Sequence, residues 1–191
     1  MVGPEPIPFG LAAAGPGDNV LEAPVSLSVL VARNDRAAVA LHSFGSSPNG
    51  VSFTLSLRVR DQITPEGGMP LFEHGEPVEM VDKSGQRFIA RPRHDLFRLE
   101  VVFSDGRIAR NVGHDRFSTS PLLRTLGGGG DGHKWEQRWW LATLPPSGPL
   151  TFVCDWPILD ITETRVEVSA DPFIVAAPET VTLWPLEWRG R

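Results

Sequence analysis

The sequence predicts an all-β protein, a single antiparallel β-sandwich of about eight strands that follows an extended N-terminal arm. Apolar and polar residues alternate along several segments, most clearly at residues 51–60, where Val51, Phe53, Leu55 and Leu57 share one face. The 19 glycines and 18 prolines are spread along the chain as turn signals between short segments. No segment shows convincing amphipathic helical spacing, so a sandwich accounts best for the pattern.

The chain divides into three parts. Residues 1–24 contain five prolines and little periodicity, which predicts an extended arm. Residues 25–176 form the predicted sandwich domain, and residues 177–191 form a C-terminal segment with one short strand at 181–184. A chain of 191 residues fits one such domain.

Alternation and turn residues place the strands of the domain. An Asp105-Gly106 pair predicts a hairpin turn, because this dipeptide readily supplies a positive φ. Two interior stretches lack strand periodicity: residues 61–95 are irregular, and residues 113–134 are interpreted as a long flexible connection. The predicted strands cover residues 25–32, 37–44, 51–60, 78–81, 86–90, 96–103, 107–112, 134–144, 150–156 and 164–170.

Residues 133–165 hold four of the six tryptophans and the single cysteine, and they are predicted to form the central hairpin of the fold. Residues 134–144 and 150–156 would pair across a stiff proline-rich connection at 145–149. Side chains alternate along a strand, so Trp139, which has the parity of Leu141, is assigned to the core. Trp140 must then point to the opposite face.

Two interpretations of Trp140 remain open. Its ring could be covered by the irregular segment 61–95, or it could form an exposed aromatic platform for a ligand or partner. Trp140, His74 and His133 are therefore the candidate ligand- or partner-binding residues. A third hypothesis places a ligand pocket beneath residues 61–95.

Cys154 shares the parity of Leu150, Phe152 and Trp156, so it is predicted to be a buried, protonated thiol. A nucleophilic role would require a nearby histidine base, which the sequence does not reveal. One cysteine forms no intramolecular disulfide. The glycine run at 127–130 leads into a tryptophan-rich strand, whereas a phosphate loop leads into a helix, so phosphate binding is not favoured.

A metal site is the basis of the alternative function. The loop residues His94, His114, His133 and Asp131 could act as ligands of a metal-dependent hydrolase if they converged in one cleft. Their spacing matches no recognised ligand pattern, and no catalytic residue is assigned. We expect no cofactor.

Charge and hydropathy limit the partners. The net charge of −5 gives no basic surface for nucleic acid, and no apolar run approaches the ~20 residues of a membrane span. The N-terminal residues lack the pattern of a secretory signal. We therefore expect a soluble cytoplasmic protein that binds neither nucleic acid nor membranes.

The sequence resembles a group of uncharacterised β-rich proteins of high-GC Gram-positive bacteria. The resemblance covers residues 127–165, and it consists of a glycine-rich stretch, a Trp-rich strand, a Pro-Pro-x-Gly-Pro-Leu turn and a Phe-Val-Cys-x-Trp-Pro strand. A weaker likeness extends over residues 96–111. The resemblance to this group implies no known activity and no catalytic residue.

The chain shows the pattern of a complete β fold and no recognisable catalytic motif. The sequence therefore predicts a non-catalytic binding or assembly module that acts through a protein partner or self-association. The metal-dependent hydrolase is the alternative.

Overall fold

A computed structural model describes residues 15–61, 97–111 and 121–184, together with the backbone of 78–81 and 87–90. The described chain is mostly antiparallel β-structure, which confirms the predicted all-β fold class. Its strands are β1 (Val20–Leu21), β2 (Ala23–Val25), β3 (Val29–Arg33), β4 (Ala37–Ser47), β5 (Gly50–Val59), β6 (Val78–Val81), β7 (Arg87–Ala90), β8 (Arg98–Val102), β9 (Ile108–Arg110), β10 (Leu123–Gly130), β11 (Lys134–Leu141), β12 (Pro149–Trp156), β13 (Ile161–Ser169) and β14 (Val181–Thr182).

The larger sheet has six strands in the order β10-β11-β5-β4-β2, and β3 also pairs with β4. Both β2 and β3 lie along the same edge of β4, because the other edge is taken by β5. The sequence predicted one strand over residues 25–32, but the chain leaves the ladder between Val25 and Val29. The described chain has fourteen strands where about eight were predicted, in part because residues 25–32 divide into β2 and β3 and because β1 and β10 were not predicted.

The second sheet has four strands in the order β13-β12-β8-β9. It packs face to face with the larger sheet, as aromatic contacts between them show: the ring centroids of Phe53 and Phe152 lie 5.8 Å apart, and those of Phe97 and Trp139 lie 6.2 Å apart. A parallel bridge between Arg110 and Leu122 joins the sheets at one corner. The core therefore lies between two sheets, as in a sandwich.

The predicted central hairpin is wrong. β11 pairs with β10 and β5, whereas β12 pairs with β13 and β8, so the two strands belong to opposite sheets. The stiff connection at 145–149 carries the chain from one sheet to the other. Alternation identifies a strand and its buried face, but it says nothing about which strand lies beside it.

The flexible connection predicted at 113–134 is also wrong over its second half, which forms the edge strand β10. Gly127 has a φ of 127° at a bulge, and Cβ atoms built on Gly128 and Gly130 would lie 2.3 Å and 2.1 Å from carbonyl oxygens of β11. Only glycine fits these three positions. The run is therefore a strand whose backbone approaches its neighbour unusually closely.

The two ends of the described chain meet. β1 and β14 form a two-stranded ribbon, and a short helix, α1 (Asp171–Ala176), followed by a 3₁₀ turn at Ala177–Glu179, connects β13 to it. The end of the predicted arm, residues 20–24, thus contains β1 and the start of β2, and β2 pairs into the larger sheet. The short strand predicted at 181–184 is β14.

Candidate functional site

Trp140 points away from the core between the sheets, yet its side chain is completely buried. It lies opposite Ser52 of β5, and its ring covers Gly50, where a Cβ atom would come within 2.5 Å of Cζ2. The exposed aromatic platform is therefore absent at this residue. The alternative cover, residues 61–95, is described only at residue 61 and along the backbone of 78–81 and 87–90, and His74 lies outside the described residues.

His133 and Asp131 lie in the turn between β10 and β11. Oδ1 of Asp131 accepts hydrogen bonds from the backbone N–H groups of His133 (2.8 Å) and Lys134 (3.0 Å), and these bonds lower the pKa of the Asp131 carboxyl. His133 is exposed, with Nδ1 3.4 Å from the carbonyl oxygen of Val59. Asp131 thus stabilises a turn.

The predicted metal ligands are not brought together in what the structure describes. Among residues 15–61, 97–111 and 121–184, no group of three or more His, Cys, Asp or Glu side chains could hold a metal ion. His94 and His114 lie outside these ranges. The metal-dependent hydrolase has no support from the described geometry and stays a prediction.

Cys154 lies in the core, as its parity predicted. Burial raises the pKa of its thiol from 9.0 to about 12. A thiol that keeps its proton to that pH is a poor nucleophile, so Cys154 acts as a small apolar side chain.

A polar site that the sequence analysis missed lies on the outer face of the larger sheet, at a bulge in β4. Between His42 and Gly45 the chain advances three residues, while its partner β5 advances two, from Thr54 to Ser52. Ser43 is therefore the residue inserted in β4 at the bulge, and β5 has no residue that corresponds to it. Strict alternation would send it into the core after Leu41, but its φ of 52° leaves it exposed.

The bulge brings three polar side chains together. Nδ1 of His42 lies 2.9 Å from Oγ of Ser43, and Nε2 on the other side of the ring lies 3.9 Å from Oε1 of Glu136 on β11. The two strands are not neighbours, since β5 lies between them, and Glu136 reaches across this strand. We call this group the bulge site: His42, Ser43 and Glu136.

Two cations hold the carboxylate of the bulge site. Nζ of Lys134 lies 2.8 Å from Oε1 of Glu136, and a guanidinium nitrogen of Arg58 lies 3.5 Å from the same oxygen. The hydrogen bond from Lys134 is the main cause that lowers the pKa of Glu136, and Arg58 adds to it. Glu136 is therefore an anion at neutral pH, and the oxygen that the two cations contact is also the one nearest the imidazole.

A second ionic group borders the bulge site. Oε2 of Glu22 accepts hydrogen bonds from Oγ of Ser52 (2.8 Å) and from the guanidinium of Arg138 (2.7 Å). The Glu22 side chain is only 9% exposed and crosses Gly45, where a Cβ atom would lie 3.1 Å from it. This contact fixes the chain between β1 and β2 onto the sheet.

The ribbon formed by β1 and β14 exposes apolar side chains. Seven large hydrophobic residues are exposed in the described parts of the chain, and four of them lie here. We call these four the ribbon surface: Leu21 (59% exposed), Val181 (52%), Leu183 (49%) and Trp184 (58%). Leu21 and Val181 lie directly opposite each other in the ladder.

No protein-family model, curated protein or solved structure matches the chain. The resemblance inferred from the sequence therefore stays a prediction. Within the described residues, no helix is long and apolar enough to cross a membrane.

One feature of the sequence, the spacing of apolar residues in β4, indicates the bulge. Apolar residues occur at every second position from Val39 to Leu41, but the next core residue of β4 is Phe44, three positions on. A step of three in a pattern of two indicates one inserted residue, and it places Ser43 and His42 beside the irregularity. The contribution of Glu136 had no such signal, because it depends on the order of the strands.

Proposed function

We propose that the protein is a binding or assembly module that associates with a second copy of itself through the ribbon surface. The observation that carries this proposal is the concentration of exposed apolar side chains on the ribbon. Apolar groups exposed together in this way are typical of protein interfaces, whereas singly exposed hydrophobic residues are ordinary.

The chemistry of the surface supports a second copy as the partner. Its four side chains carry no charge, so two such surfaces can meet around a two-fold axis without placing like charges opposite each other. Burial of Leu, Val and Trp side chains contributes roughly 25 cal/mol per Å² of apolar area removed from water. A partner with a charged contact surface would recover less of this free energy.

The ribbon surface is held in place before any partner binds. The side-chain amide of Asn19 donates to the carbonyl oxygen of Trp184 (2.7 Å), and the backbone N–H of Leu183 donates to the carbonyl oxygen of Asn19 (2.8 Å). The Thr180 hydroxyl lies 3.2 Å from the carbonyl oxygen of Ser46 in β4. Preorganisation reduces the entropy lost on association, which favours a stable contact.

Sedimentation velocity at several concentrations tests the proposal. We expect the parent protein to sediment as a dimer at micromolar concentrations, and we expect Leu183→Glu to shift it to the monomer, because a charge would be buried in the interface. Circular dichroism and a thermal melt establish that the variant is folded.

Ile158→Glu is the matched control. Ile158 is 52% exposed, close to the value for Leu183, but it lies near the start of β4, where Asn34 bonds to the neighbouring Leu159. The ribbon lies near the opposite end of β4. At a rise of ~3.3 Å per residue, the length of this strand separates Ile158 from the ribbon by about 30 Å. A monomeric parent protein, or equal dissociation by both substitutions, would overturn the proposal.

A cytoplasmic location belongs to the same proposal. It rests on the single buried cysteine, which forms no intramolecular disulfide, and on the absence of a membrane-spanning helix in the described residues.

A further inference from the structure

The backbone of the bulge site has an unfavourable conformation at Ser43. Ser43 has a φ of 52°, in the left-handed region that is unfavourable for an L-residue relative to right-handed or extended backbone. The conformation turns the hydroxyl out of the sheet, where it meets the imidazole of His42 at 2.9 Å. Strain of this kind accumulates at functional positions, and here it exposes a serine hydroxyl beside a base.

The position of Glu136 selects the tautomer of His42. A carboxylate 3.9 Å from Nε2 favours the form that carries its proton on Nε2, because the N–H dipole then points at the negative charge. Nδ1 is then left with a lone pair, which faces Oγ of Ser43. The Ser43 hydroxyl therefore donates its hydrogen bond to Nδ1, as an activated nucleophile donates to its general base.

We propose that Ser43 is a nucleophile that takes acyl groups from carboxylic esters, with His42 as its general base. Glu136 is a positioning residue, which orients the imidazole and does not touch the substrate. The order of roles is that of a serine hydrolase triad, with the two imidazole nitrogens exchanged.

The acyl group is transferred first to Ser43 and then to water. Oγ of Ser43 forms a bond to the carbonyl carbon of the ester, and its proton passes to Nδ1 of His42. The bond from that carbon to the leaving oxygen breaks, and an alcohol leaves with the proton from His42, whereas a phenolate leaves as an anion and His42 then releases the proton to solvent. A water molecule then gives a proton to Nδ1 and attacks the acyl carbon, and Ser43 leaves with that proton.

The charges around the imidazole suit this role. Glu136 is the anion that faces His42, and Lys134 and Arg58 contact the same oxygen, Oε1, that lies nearest the imidazole. These two cations lower the pKa of Glu136 and keep it ionised. Arg138 and Glu22 compensate each other next to Ser52. His42 is thus held beside an ionised carboxylate.

Reaction with p-nitrophenyl acetate tests the proposal. We expect a burst of p-nitrophenolate that approaches one equivalent per chain, and peptide mass spectrometry should find the acetyl group on Ser43. Ser43→Gly removes the hydroxyl and suits the left-handed backbone, so this variant is expected to fold and to lose the burst. His42→Gln should slow the burst by roughly 10²-fold or more, the usual contribution of a general base.

Two further variants separate a positioning role from simple surface chemistry. Ser104→Ala is the control for the hydroxyl, because Ser104 is also exposed and donates to the carbonyl oxygen of Ser147. It should keep the full burst. Glu136→Gln should slow the burst and change its pH profile, since the tautomer is no longer fixed, and Glu136→Asp should restore part of the rate.

Three results would overturn the proposal: no burst in the parent protein, an unchanged burst in Ser43→Gly, or acetylation confined to lysines and to His133. The bulge site lies on the sheet face and shares no residue with the ribbon surface. A failure here leaves the sedimentation result unaffected, and Leu183→Glu should leave the burst unchanged.

Discussion

The indole ring of Trp140 lies directly against Gly50, so closely that a Cβ atom on Gly50 would fall 2.5 Å from Cζ2 and 2.3 Å from the carbonyl oxygen of Leu141. The absence of a side chain at residue 50 is what allows the tryptophan ring to pack against the backbone there, on the outer face of the sheet. Side-chain size at residue 50 therefore controls the packing of Trp140.

Gly50→Ala should lower the free energy of unfolding by about 1–3 kcal/mol, since a methyl group inserted into a filled site forces its neighbours to move. Chemical denaturation followed by circular dichroism measures the change. Gly129→Ala is the control, because a Cβ atom there meets nothing within 4 Å. Equal losses in the two variants would show that general strand propensity, and not contact with Trp140, sets the cost.

Trp156→Ala should lower the free energy of unfolding by about 3–5 kcal/mol, the range for loss of a core aromatic. Trp156 is 1% exposed, and its ring centroid lies 4.7 Å from that of Phe97. Val175→Ala removes a side chain that is 74% exposed and lies outside the ribbon surface, so it should cost far less. A Trp156→Ala melt that coincides with the parent would contradict the assigned core.

Ser43→Gly should raise the free energy of unfolding by up to about 1 kcal/mol, because glycine adopts a positive φ without the steric cost that serine pays. Ser43→Val should lower it by about 1–2 kcal/mol, since a β-branched residue is especially unfavourable there. Denaturation of both variants under the same conditions gives the comparison. A more stable valine variant would refute the left-handed conformation.

Cys154 should be inert to iodoacetamide in the folded protein at pH 8 and reactive in guanidinium. A pKa raised from 9.0 to about 12 reduces the thiolate fraction about 10³-fold at that pH, and burial blocks access. The buried thiol stabilises the fold fully below pH 9, and this contribution declines as pH rises from 9 towards 12, because only the unfolded chain then ionises freely. Rapid alkylation without denaturant would contradict this placement.

Sequence reasoning recovered the strands because alternation is a local property of a half-buried segment. The face of Trp139 and the burial of Cys154 followed from parity alone. Strand neighbours depend on contacts between distant residues, and the sequence contains no local record of them. Residues 134–144 and 150–156 were therefore paired wrongly, although each range held a real strand.

The bulge site and the ribbon surface could not be predicted from the sequence for the same reason, because both depend on which strands are neighbours. Glu136 lies 94 residues along the chain from His42, and it reaches the imidazole only because β11, β5 and β4 lie side by side. Likewise, Leu21 lies opposite Val181 because the two ends of the described chain meet. By contrast, the step of three from Leu41 to Phe44 was visible in the sequence.

The extra residue in β4 also divides that strand into two halves with opposite alternation. The first half pairs with β3 and sends its odd-numbered residues inward, whereas the second half pairs with β2 and sends Phe44 inward. Loss of Ser43 would bring Phe44 two positions after Leu41, so the two halves would share one phase, the bulge would disappear and Phe44 would still face inward. The inserted serine therefore shapes the outer face of the sheet, and a deletion at this position would be felt mainly by the neighbouring His42 and little by the buried residues.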